Sequence, residues 1–562
     1  MEPILEIVNL SIGFSENGLI QHVAEDISFT LYRGETTALV GESGSGKSVT
    51  ALSILQLLPK QSVVTGKINY TSADCDVINL LERSSHEMRS IRGNKIAMIF
   101  QEPMTSLNPL YTCGDQVMEV LQLHKSLSKK AARQQTLDLF DLVELPDPSS
   151  MLNRYPHQIS GGQKQRVMIA MAMSCQPDII IADEPTTALD VRVQANILRL
   201  LTRLQQKTGM AILFITHDLG IVADFAHNVA VMNKGKVVEQ GDTSAVLQKP
   251  QHPYTKALLA CRPAAGAKGH RLALVSDFLS DTSSQTRHQV NSKVTESDEV
   301  LLSVKNLVVQ FPVKTNFFGN PTSFFKAVDN VSFDIHKNEI VGLVGESGCG
   351  KTTLGRTILQ LVEPTAGEIF LRGKNITHLS QAQLRKERKN LQIIFQDPYG
   401  SLNPRISVGS AISEALGVHN IATNKKQQQE IVVSLLEKVN LQADHFNRYP
   451  HQFSGGQRQR ICIARALALN PSFLVFDESV SALDVSVQAQ VLNLINELRE
   501  SLRFTAIFIS HDLSVVHYLS DRIMVMRAGK IVENGAADQV YNHPQNDYTR
   551  KLIDAIPGKR LA

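Results

Sequence analysis

The sequence contains two copies of a glycine-rich loop whose residues can bind phosphate. The first runs from Gly41 to Ser48 and the second from Gly345 to Thr352, each directly after an apolar run. Both fit the pattern G-x-x-x-x-G-K-[S/T], in which the glycines let backbone N–H groups surround phosphate oxygens. The lysine reaches the β- and γ-phosphates, and the last hydroxyl can bind Mg²⁺. The residues predicted to contact nucleotide are Gly41, Ser43, Gly44, Ser45, Gly46, Lys47, Ser48 and Val49 in the first loop, and Gly345, Ser347, Gly348, Cys349, Gly350, Lys351, Thr352 and Thr353 in the second.

An acidic pair follows a second apolar run in each half of the chain. Asp183-Glu184 ends the run Ile179–Ala182, and Asp477-Glu478 ends the run Phe473–Phe476. The aspartate can hold Mg²⁺, and the glutamate can polarise an attacking water as a general base. A single pair is often just an exposed acidic turn. Two pairs in a repeated context favour a pair of hydrolytic sites.

These matches belong to an internal repeat that covers most of the chain. Lys47 and Lys351 are 304 residues apart, and the acidic pairs are 294 apart. His217 and His511 share the 294-residue offset, as do the two Arg-Tyr-Pro-His-Gln segments that begin at Arg154 and Arg448. The chain is therefore one domain used twice.

The elements that must position these residues alternate between buried strands and helices, which predicts a largely parallel, doubly wound sheet. Leu5–Ile12 and Ile27–Leu31 are predicted to form an antiparallel layer, and helical spacing from Gly114 to Leu145 predicts a small helical insertion. The turn at residues 233–235 predicts a late hairpin. Ile96–Phe100 is interpreted as a buried strand that ends at Gln101.

Composition excludes several classes of protein. Hydrophobic residues make up 43% of the 562, and the formal net charge is only +3, so no overall charge drives binding to nucleic acid. The six cysteines lie far apart without a C-x-x-C pair, which argues against a zinc site and fits a reducing cytoplasm. The sequence contains no run of about 18 apolar residues, which is the length needed to span a bilayer. If the protein works at a membrane, other chains must supply the spanning part.

A third repeated segment identifies the chain as a relative of a known family. It reads Ser160-Gly161-Gly162-Gln163 in the first half and Ser454-Gly455-Gly456-Gln457 in the second. Alone, such a segment is only a helix N-cap with free N–H groups that can bind an anion. Together with the loops, acidic pairs and histidines, it resembles the signature of ATP-binding cassette proteins. The resemblance implies an α/β fold of two P-loop ATPase domains, each with a mostly parallel sheet core, an antiparallel β layer and a helical subdomain.

The resemblance also implies roles for individual residues. In the family, each ATP lies between the phosphate loop of one domain and the signature of the other, which makes the loops and both signatures ATP contacts. Metal contacts are expected from the hydroxyl, glutamine and aspartate positions, and catalytic roles from the glutamate, histidine and glutamine positions. The expected metal contacts are Ser48, Gln101, Asp183, Thr352, Gln396 and Asp477, and the expected catalytic residues are Glu184, Glu478, His217, His511, Gln101 and Gln396.

Four further predictions concern the interface between domains, the adenine contact, one cysteine and the domain boundaries. Ala188-Leu189-Asp190 and Ala482-Leu483-Asp484 match the family loop that crosses the interface between domains. Phe14 and Phe311 are candidates to stack on adenine, with an ordinary core phenylalanine as the alternative. Cys349 lies beside N–H groups and Lys351, which favour the thiolate, so a reactive thiol is expected there. The cassette domains are assigned to residues 1–265 and 301–562, with residues 266–300 a flexible linker whose patch Leu272–Phe278 packs on a neighbour.

Family members narrow the function. The stretches from Gln101 to Pro109 and from Gln396 to Pro404, and the tail motif His252-Pro253-Tyr254-Thr255, resemble peptide and nickel importer ATPases of bacteria. This implies a peripheral ATPase on the cytoplasmic face of the inner membrane, with ATP and Mg²⁺, two permease subunits, an external substrate-binding protein and no nucleic acid. The expected cargo is an oligopeptide, dipeptide or glutathione-like peptide. The alternatives are nickel or another solute, an exporter ATPase, or a soluble tandem protein acting on ribosomes or DNA.

Overall fold

The computed structural model describes residues 2–16, 18–72, 75–101, 106–186, 189–263, 266–279, 298–315 and 321–558. Ala188, residues 102–105 of the first glutamine stretch and residues 280–297 of the predicted linker lie outside the described residues. Within these ranges the two halves repeat the same two sheets, which confirms the predicted fold class.

The first half is built on two sheets. Its strands are β1 Pro3–Glu16, β2 Leu19–Tyr32, β3 Thr36–Val40, β4 Ser62–Thr71, β5 Val77–Asn79, β6 Ile96–Ile99, β7 Ile179–Asp183, β8 Ala211–Thr216, β9 Asn228–Asn233 and β10 Lys236–Asp242. The antiparallel layer has the order β2-β1-β4-β5, and the core sheet has the order β10-β9-β3-β8-β7-β6. In the core sheet β3, β6, β7, β8 and β9 pair in parallel and only β10 is antiparallel. The strand before the phosphate loop is therefore at the centre of a doubly wound sheet, as predicted.

The second half repeats this order. Its strands are β11 Val300–Thr315, β12 Pro321–His336, β13 Ile340–Val344, β14 Ala366–Leu371, β15 Lys374–Asn375, β16 Leu391–Ile394, β17 Phe473–Asp477, β18 Thr505–Ile509, β19 Arg522–Arg527 and β20 Lys530–Ala536. The layer has the order β12-β11-β14-β15, and the core sheet has the order β16-β17-β18-β13-β19-β20.

The predicted late hairpin is present in both halves. In the first, Lys234 and Gly235 connect β9 to β10 with φ values of 46° and 80°. Two successive positive φ values are the mark of a type I′ turn, whose twist matches that of the flanking strands. Ala528 and Gly529 repeat the turn between β19 and β20 with φ values of 46° and 83°.

Helices cover the core sheets and form the predicted insertion. The helices of the first half are Lys47–Ile54, Ser85–Ile91, Cys113–Lys125, Lys129–Leu142, Pro148–Met151, Gly161–Met173, Val191–Thr208, Leu219–Phe225, Thr243–Gln248 and Pro253–Ala260, followed by Val275–Leu279. The helices of the second half are Lys351–Ile358, Gln381–Glu387, Pro398–Ser401, Val408–Val418, Lys425–Lys438, Gly455–Leu467, Val485–Leu502, Leu513–Leu519, Ala537–Asn542 and Asp547–Asp554. Cys113–Lys125 and Lys129–Leu142 occupy the range from Gly114 to Leu145 that helical spacing predicted, with the first helix starting one residue earlier. None of the helices described is both long and apolar enough to cross a bilayer.

Two details differ from the sequence prediction. Phe100, expected to end a buried strand, lies just beyond β6 and is exposed, because the chain leaves the sheet at Ile99. Residues 266–279, at the start of the predicted flexible linker, are packed on both halves: Leu272 is buried in a cluster made mostly of second-half side chains, and the helix Val275–Leu279 packs on the first-half helix Pro253–Ala260. The expectation that the Leu272–Phe278 patch packs on a neighbour is correct for Leu272.

Candidate functional site

The candidate site forms where four parallel strands end at the same edge of the core sheet. β3 leads into the loop at Gly41, β7 ends at Asp183, β8 leads into His217, and β6 is followed by Gln101. Because β3, β8, β7 and β6 are consecutive neighbours, their carboxyl ends bring together residues that are far apart in sequence. This edge is where open α/β sheets bind ligands.

The phosphate loop wraps around its own lysine. Lys47 is buried, and its Nζ donates to the carbonyl oxygens of Gly41 and Glu42, at 2.8 Å each. Burial lowers the pKa of Lys47, against the opposing effect of nearby carboxylates. Gly44 and Gly46 have φ values of 79° and 100°, in the left-handed region that favours glycine.

The second loop has the same geometry. Lys351 Nζ donates to Gly345 O at 2.7 Å and to Glu346 O at 2.8 Å. Gly348 and Gly350 repeat the positive φ values, at 77° and 109°. The helices Lys47–Ile54 and Lys351–Ile358 begin directly after the last loop glycine, so their first backbone N–H groups face the loop.

A hydroxyl and a carboxylate meet beside each lysine. Ser48 Oγ donates to Asp183 Oδ1 at 3.1 Å, and Thr352 Oγ1 donates to Asp477 Oδ1 at 2.9 Å. Burial raises the pKa of both aspartates, and these hydrogen bonds offset it only in part. Hydroxyl and carboxylate oxygens are the ligands that Mg²⁺ prefers, so this donor set fits the ion expected there.

The glutamate of each pair is held by a glutamine and a histidine. Gln101 Nε2 donates to Glu184 Oε2 at 3.0 Å, and His217 Nδ1 lies 3.3 Å from Glu184 Oε1. Burial lowers the pKa of His217, but the hydrogen bond with Glu184 and the negative charges of Glu184, Asp484 and Asp218 together outweigh it, and the net shift is upward. The glutamate backbone has a φ of 44°, a conformation that costs on the order of 1–3 kcal/mol for a non-glycine residue. The surrounding contacts therefore hold this carboxylate in place.

The second half repeats the triad with a looser histidine. Gln396 Nε2 donates to Glu478 Oε2 at 3.0 Å, whereas His511 Nδ1 is 3.7 Å from the same oxygen. Burial acts to raise the pKa of Glu478, but His511 and the positive charge of Lys351 together outweigh it, and the net shift is downward. Glu478 has the same strained backbone, with a φ of 49°.

Each signature segment begins a helix. Ser160 Oγ accepts from Gln163 N at 3.3 Å while Gln163 Oε1 accepts from Ser160 N at 3.0 Å, which is a capping box. Ser454 and Gln457 repeat both bonds at the same distances. The N-cap interpretation of the sequence therefore describes the local geometry.

The glycines of each signature lie against the interface loop of the same half and the first turn of the helix that follows it. A Cβ added to Gly162 would come within 2.8 Å of Val193, and one added to Gly456 within 2.2 Å of Val487. The same construction at Gly161 and Gly455 reaches a leucine of the interface loop at about 4 Å, Leu189 and Leu483 respectively. The signature helix is thus packed directly against the loop that meets the other half.

Contacts across the two halves join the first phosphate loop to the interface loop of the second half, and the second phosphate loop to the helix Val191–Thr208 that follows the interface loop of the first half. Ser43 N–H donates to Asp484 Oδ2 at 3.0 Å, and Arg192 forms an ion pair with Glu346. Asp484 directly follows Leu483, which packs against Gly455. A continuous set of contacts therefore runs from the first phosphate loop to the second signature.

A pair of tyrosines, which sequence reasoning did not assign to the site, supports the phosphate loops from behind. Tyr254 Oη accepts from Glu42 N at 3.1 Å, and Tyr548 Oη accepts from Glu346 N at 3.1 Å. Both tyrosines are buried on the last helices of their halves, Pro253–Ala260 and Asp547–Asp554. The available signal was the tail motif with Tyr254, which repeats as Asn546-Asp547-Tyr548-Thr549.

Two sequence predictions are refined by the structure. Phe14 and Phe311 lie on the antiparallel layers outside the buried cores, and Phe311 is 41% exposed, so the alternative of ordinary core phenylalanines is wrong for Phe311. The expectation that Cys349 carries a reactive thiolate is also wrong. The side chain points under its loop into the apolar core, and burial raises the pKa of the thiol despite Lys351 Nζ at 3.9 Å.

Comparison with known proteins agrees with this geometry. Residues 24–187 and 328–481 match the family model for ABC transporters, and residues 238–282 and 532–560 match the C-terminal region of oligopeptide/dipeptide transporters. The glutathione import ATP-binding protein GsiA of Pectobacterium atrosepticum is 47% identical across 99% of this chain and 89% of its own length. The protein of that name from Escherichia coli O157:H7 is 48% identical over the same shares.

Solved structures add one further comparison. A dimeric ATP-binding cassette in a post-hydrolysis state, bound to ADP and Pi, covers 42% of this chain and 99% of its own, at 26% identity and a TM-score of 0.39. The family match covers more than half of the chain, in both halves, and carries the assignment. The chain belongs to the ABC transporter family, as two ATP-binding cassette ATPase domains fused in tandem.

Proposed function

We propose that this chain is the energy-coupling ATPase of an importer for short peptides of the glutathione type. The observation that carries the proposal is the near full-length similarity to relatives named for glutathione import. The repeated C-terminal region of oligopeptide/dipeptide transporters supports the same cargo class. Both halves hold the same lysine, aspartate, glutamate and glutamine geometry, which supports two working ATP sites.

ATP is the substrate of each site, and the proposed roles follow from position. Lys47 and the loop N–H groups bind its phosphates in the first half, as Lys351 does in the second. Glu184 and Glu478 orient and deprotonate the attacking water, and the paired glutamine and histidine hold each carboxylate. Ser48 with Asp183, and Thr352 with Asp477, would hold Mg²⁺. When bound, the ion would supply positive charge that offsets the negative charge of the ATP phosphates.

ATP at both sites favours closure of the halves. The first phosphate loop contacts Asp484 of the opposite interface loop, and the second contacts Arg192, two residues after the first interface loop. Each signature packs on the interface loop of its own half, so bound ATP adds contacts that only the closed form makes. A ligand that binds one conformation better shifts the population toward it. Hydrolysis removes those contacts and lets the sites open.

The motion passes to two permease subunits through the surface beside Gln101 and Gln396. Leu110 and Tyr111, which follow Gln101 in the chain, are exposed in the first half, and Tyr399, which follows Gln396, is exposed in the second, with Leu110 81% and Tyr399 65% exposed. Large exposed apolar side chains grouped in this way mark a protein interaction surface. We place the chain at the cytoplasmic face of the inner membrane, supplied by an external substrate-binding protein and acting on no nucleic acid.

Uptake in a strain that lacks the gene tests the proposal. Loss of labelled glutathione or short-peptide uptake is expected, with recovery by the parent gene but not by Lys47→Ala/Lys351→Ala. The matched control Lys60→Ala, at a surface lysine outside the loops, should restore uptake fully. Unchanged uptake across a panel of peptides together with lost nickel uptake would move the assignment to the metal branch of the family.

A further inference from the structure

The segment that leaves the first half, residues 266–279, is bound to the second half around Leu272, whereas its short helix Val275–Leu279 packs on the first-half helix Pro253–Ala260. We call this segment the arm. Leu272 is buried among second-half side chains, and its N–H donates to Asn493 Oδ1 at 2.9 Å. Asn493 Nδ2 returns a hydrogen bond to Leu272 O, also at 2.9 Å. One buried amide therefore satisfies both backbone groups of the central arm residue, as a neighbouring strand would.

Further contacts extend this attachment. Tyr518 Oη lies 3.0 Å from His270 O, to which it donates, and 3.1 Å from Asn493 Oδ1. Lys268 Nζ lies 3.6 Å from Asp538 Oδ1. Asn493 and Tyr518 are on the helices Val485–Leu502 and Leu513–Leu519, so the arm binds across two elements of the second half.

The end of the second half makes the reciprocal contact with the first. We call residues 556–558 the tail. Gly558 N–H donates to Asp224 Oδ2 at 2.8 Å, and Arg262 Nη2 donates to Pro557 O at 3.1 Å. The backbones cross so closely that a Cβ on Gly558 would come within 2.6 Å of Gly220 Cα. A glycine at 558, with a φ of 72°, allows this crossing.

The binding site for the arm exists in one half only. At the 294-residue offset, Asn493 corresponds to Arg199 and Tyr518 to Asp224. Both first-half residues are exposed, and Arg199 is bonded within its own helix to Ala195 O and Asn196 Oδ1. A segment like the arm could not bind at this position of the first half, because neither side chain is an amide that can both accept from a backbone N–H and donate to a backbone carbonyl. The two halves have therefore diverged where they exchange segments while keeping their ATP sites alike.

From these contacts we propose that the arm and the tail form a clasp that keeps the two halves joined while both ATP sites are open. The clasp uses no residue of the phosphate loops, acidic pairs or signatures, so opening of the sites leaves it intact. Its receptor around Asn493 and Tyr518 accepts the arm of the first half and no equivalent segment. The halves separate at the ATP sites and pivot about the clasp.

Cutting the chain tests the clasp directly. A protease recognition sequence is inserted within residues 284–292 of the full chain, which is cut and run on a sizing column at micromolar concentration without nucleotide. The cut parent is expected to elute as one species that contains both halves. Asn493→Ala and Leu272→Asp, which disrupt opposite sides of the contact, should each release the halves after cutting.

Arg199→Ala is the matched control, at the position equivalent to Asn493, and should elute like the cut parent. Thermal unfolding of the uncut variants shows whether each one folds like the parent. If one variant is misfolded, the result of the other tests the proposal. Separation of the cut parent without nucleotide would overturn the proposal. So would continued co-elution of both folded variants, because the arm would then not be what joins the halves.

Discussion

Asp484 Oδ2 accepts a hydrogen bond from Ser43 N–H in the phosphate loop of the opposite half, at 3.0 Å. The equivalent aspartate of the first half, Asp190, instead accepts from Val193 N at 3.0 Å and caps its own helix. Asp484 makes no side-chain cap bond to the helix Val485–Leu502 in the part of the chain that is described. Two aspartates in matching positions thus have different partners, one across the interface and one local.

Replacing each aspartate by alanine should separate these two roles. Asp484→Ala is expected to weaken closure of the first site, since a hydrogen bond to a charged group contributes roughly 1.5–3 kcal/mol. Asp190→Ala should cost about 0.5–2 kcal/mol of stability through the lost N-cap. Fluorescence energy transfer between dyes on the two halves measures closure, and thermal unfolding measures stability. Equal loss of energy transfer in both variants would contradict the assignment.

Glu184→Gln and Glu478→Gln should each slow hydrolysis at their own site by roughly 10²–10⁴-fold, because each removes a general base. The glutamine contact is 3.0 Å in both halves, so we expect both sites to turn over. Steady-state ATPase of the chain with its permeases measures the effect, and the double variant gives the baseline. Near-normal activity in Glu184→Gln would show that the first site is not catalytic.

Cys349 should react slowly with a maleimide in the folded protein. Its thiol is buried and its pKa is raised, whereas Cys75 is exposed. We expect mass spectrometry to find Cys75 labelled first and Cys349 labelled only after unfolding. Cys75→Ser should remove the fast phase, and Cys349→Ser should leave it unchanged. Fast modification of Cys349 in the native chain would reverse this conclusion.

The stability of the second half should fall as the solution becomes mildly acidic. Burial lowers the pKa of His517, and the 2.7 Å hydrogen bond with Asp538 offsets this only in part. The unfolded chain then takes up a proton near the ordinary value of about 6.5 while the folded chain does not, so stability is lost as pH falls below that value.

In the first half the position equivalent to His517 is Ala223. The variant His517→Ala should therefore reduce the fall in unfolding free energy with pH between about pH 7.5 and 5.5. Calorimetric unfolding at several pH values measures it, with the exposed His86→Ala as the control that keeps the parent slope. A steeper decline in His517→Ala than in the parent would contradict the burial argument.

The repeat and the motifs predicted the fold well because they depend on local pattern. A glycine-rich loop between a strand and a helix, and an acidic pair after an apolar run, specify which strand edge carries the chemistry. The placement of Lys47 beside Asp183, and of Gln101 beside Glu184, follows from that edge. Turn chemistry was equally predictable, since two positive φ values at residues 234 and 235 are what the hairpin requires.

Contacts set by distant packing were not predictable. The sequence around Cys349 shows a lysine and N–H groups, but not that the side chain turns under the loop into the core, which reverses the sign of the pKa shift. The arm has the composition of a linker, and its attachment depends on Asn493, more than 200 residues away. Tyr254 was visible as a family marker, and only the tertiary fold shows that it contacts the phosphate loop.

The tie between Tyr254 and Glu42 has a consequence for synthesis on the ribosome. β3 has β8 and β9 as its neighbours, so the first phosphate loop lacks both flanking strands until residues 211–233 have been made. The hydrogen bond from Glu42 N–H to the Tyr254 hydroxyl can form only after Tyr254 has been made, 212 positions later in the chain. At about 5–20 residues per second, the loop therefore waits roughly 10–40 s as nascent chain before its surroundings are complete. A pause in translation before residue 254 prolongs exposure of an unfinished nucleotide site, whereas a pause after it leaves a finished first half.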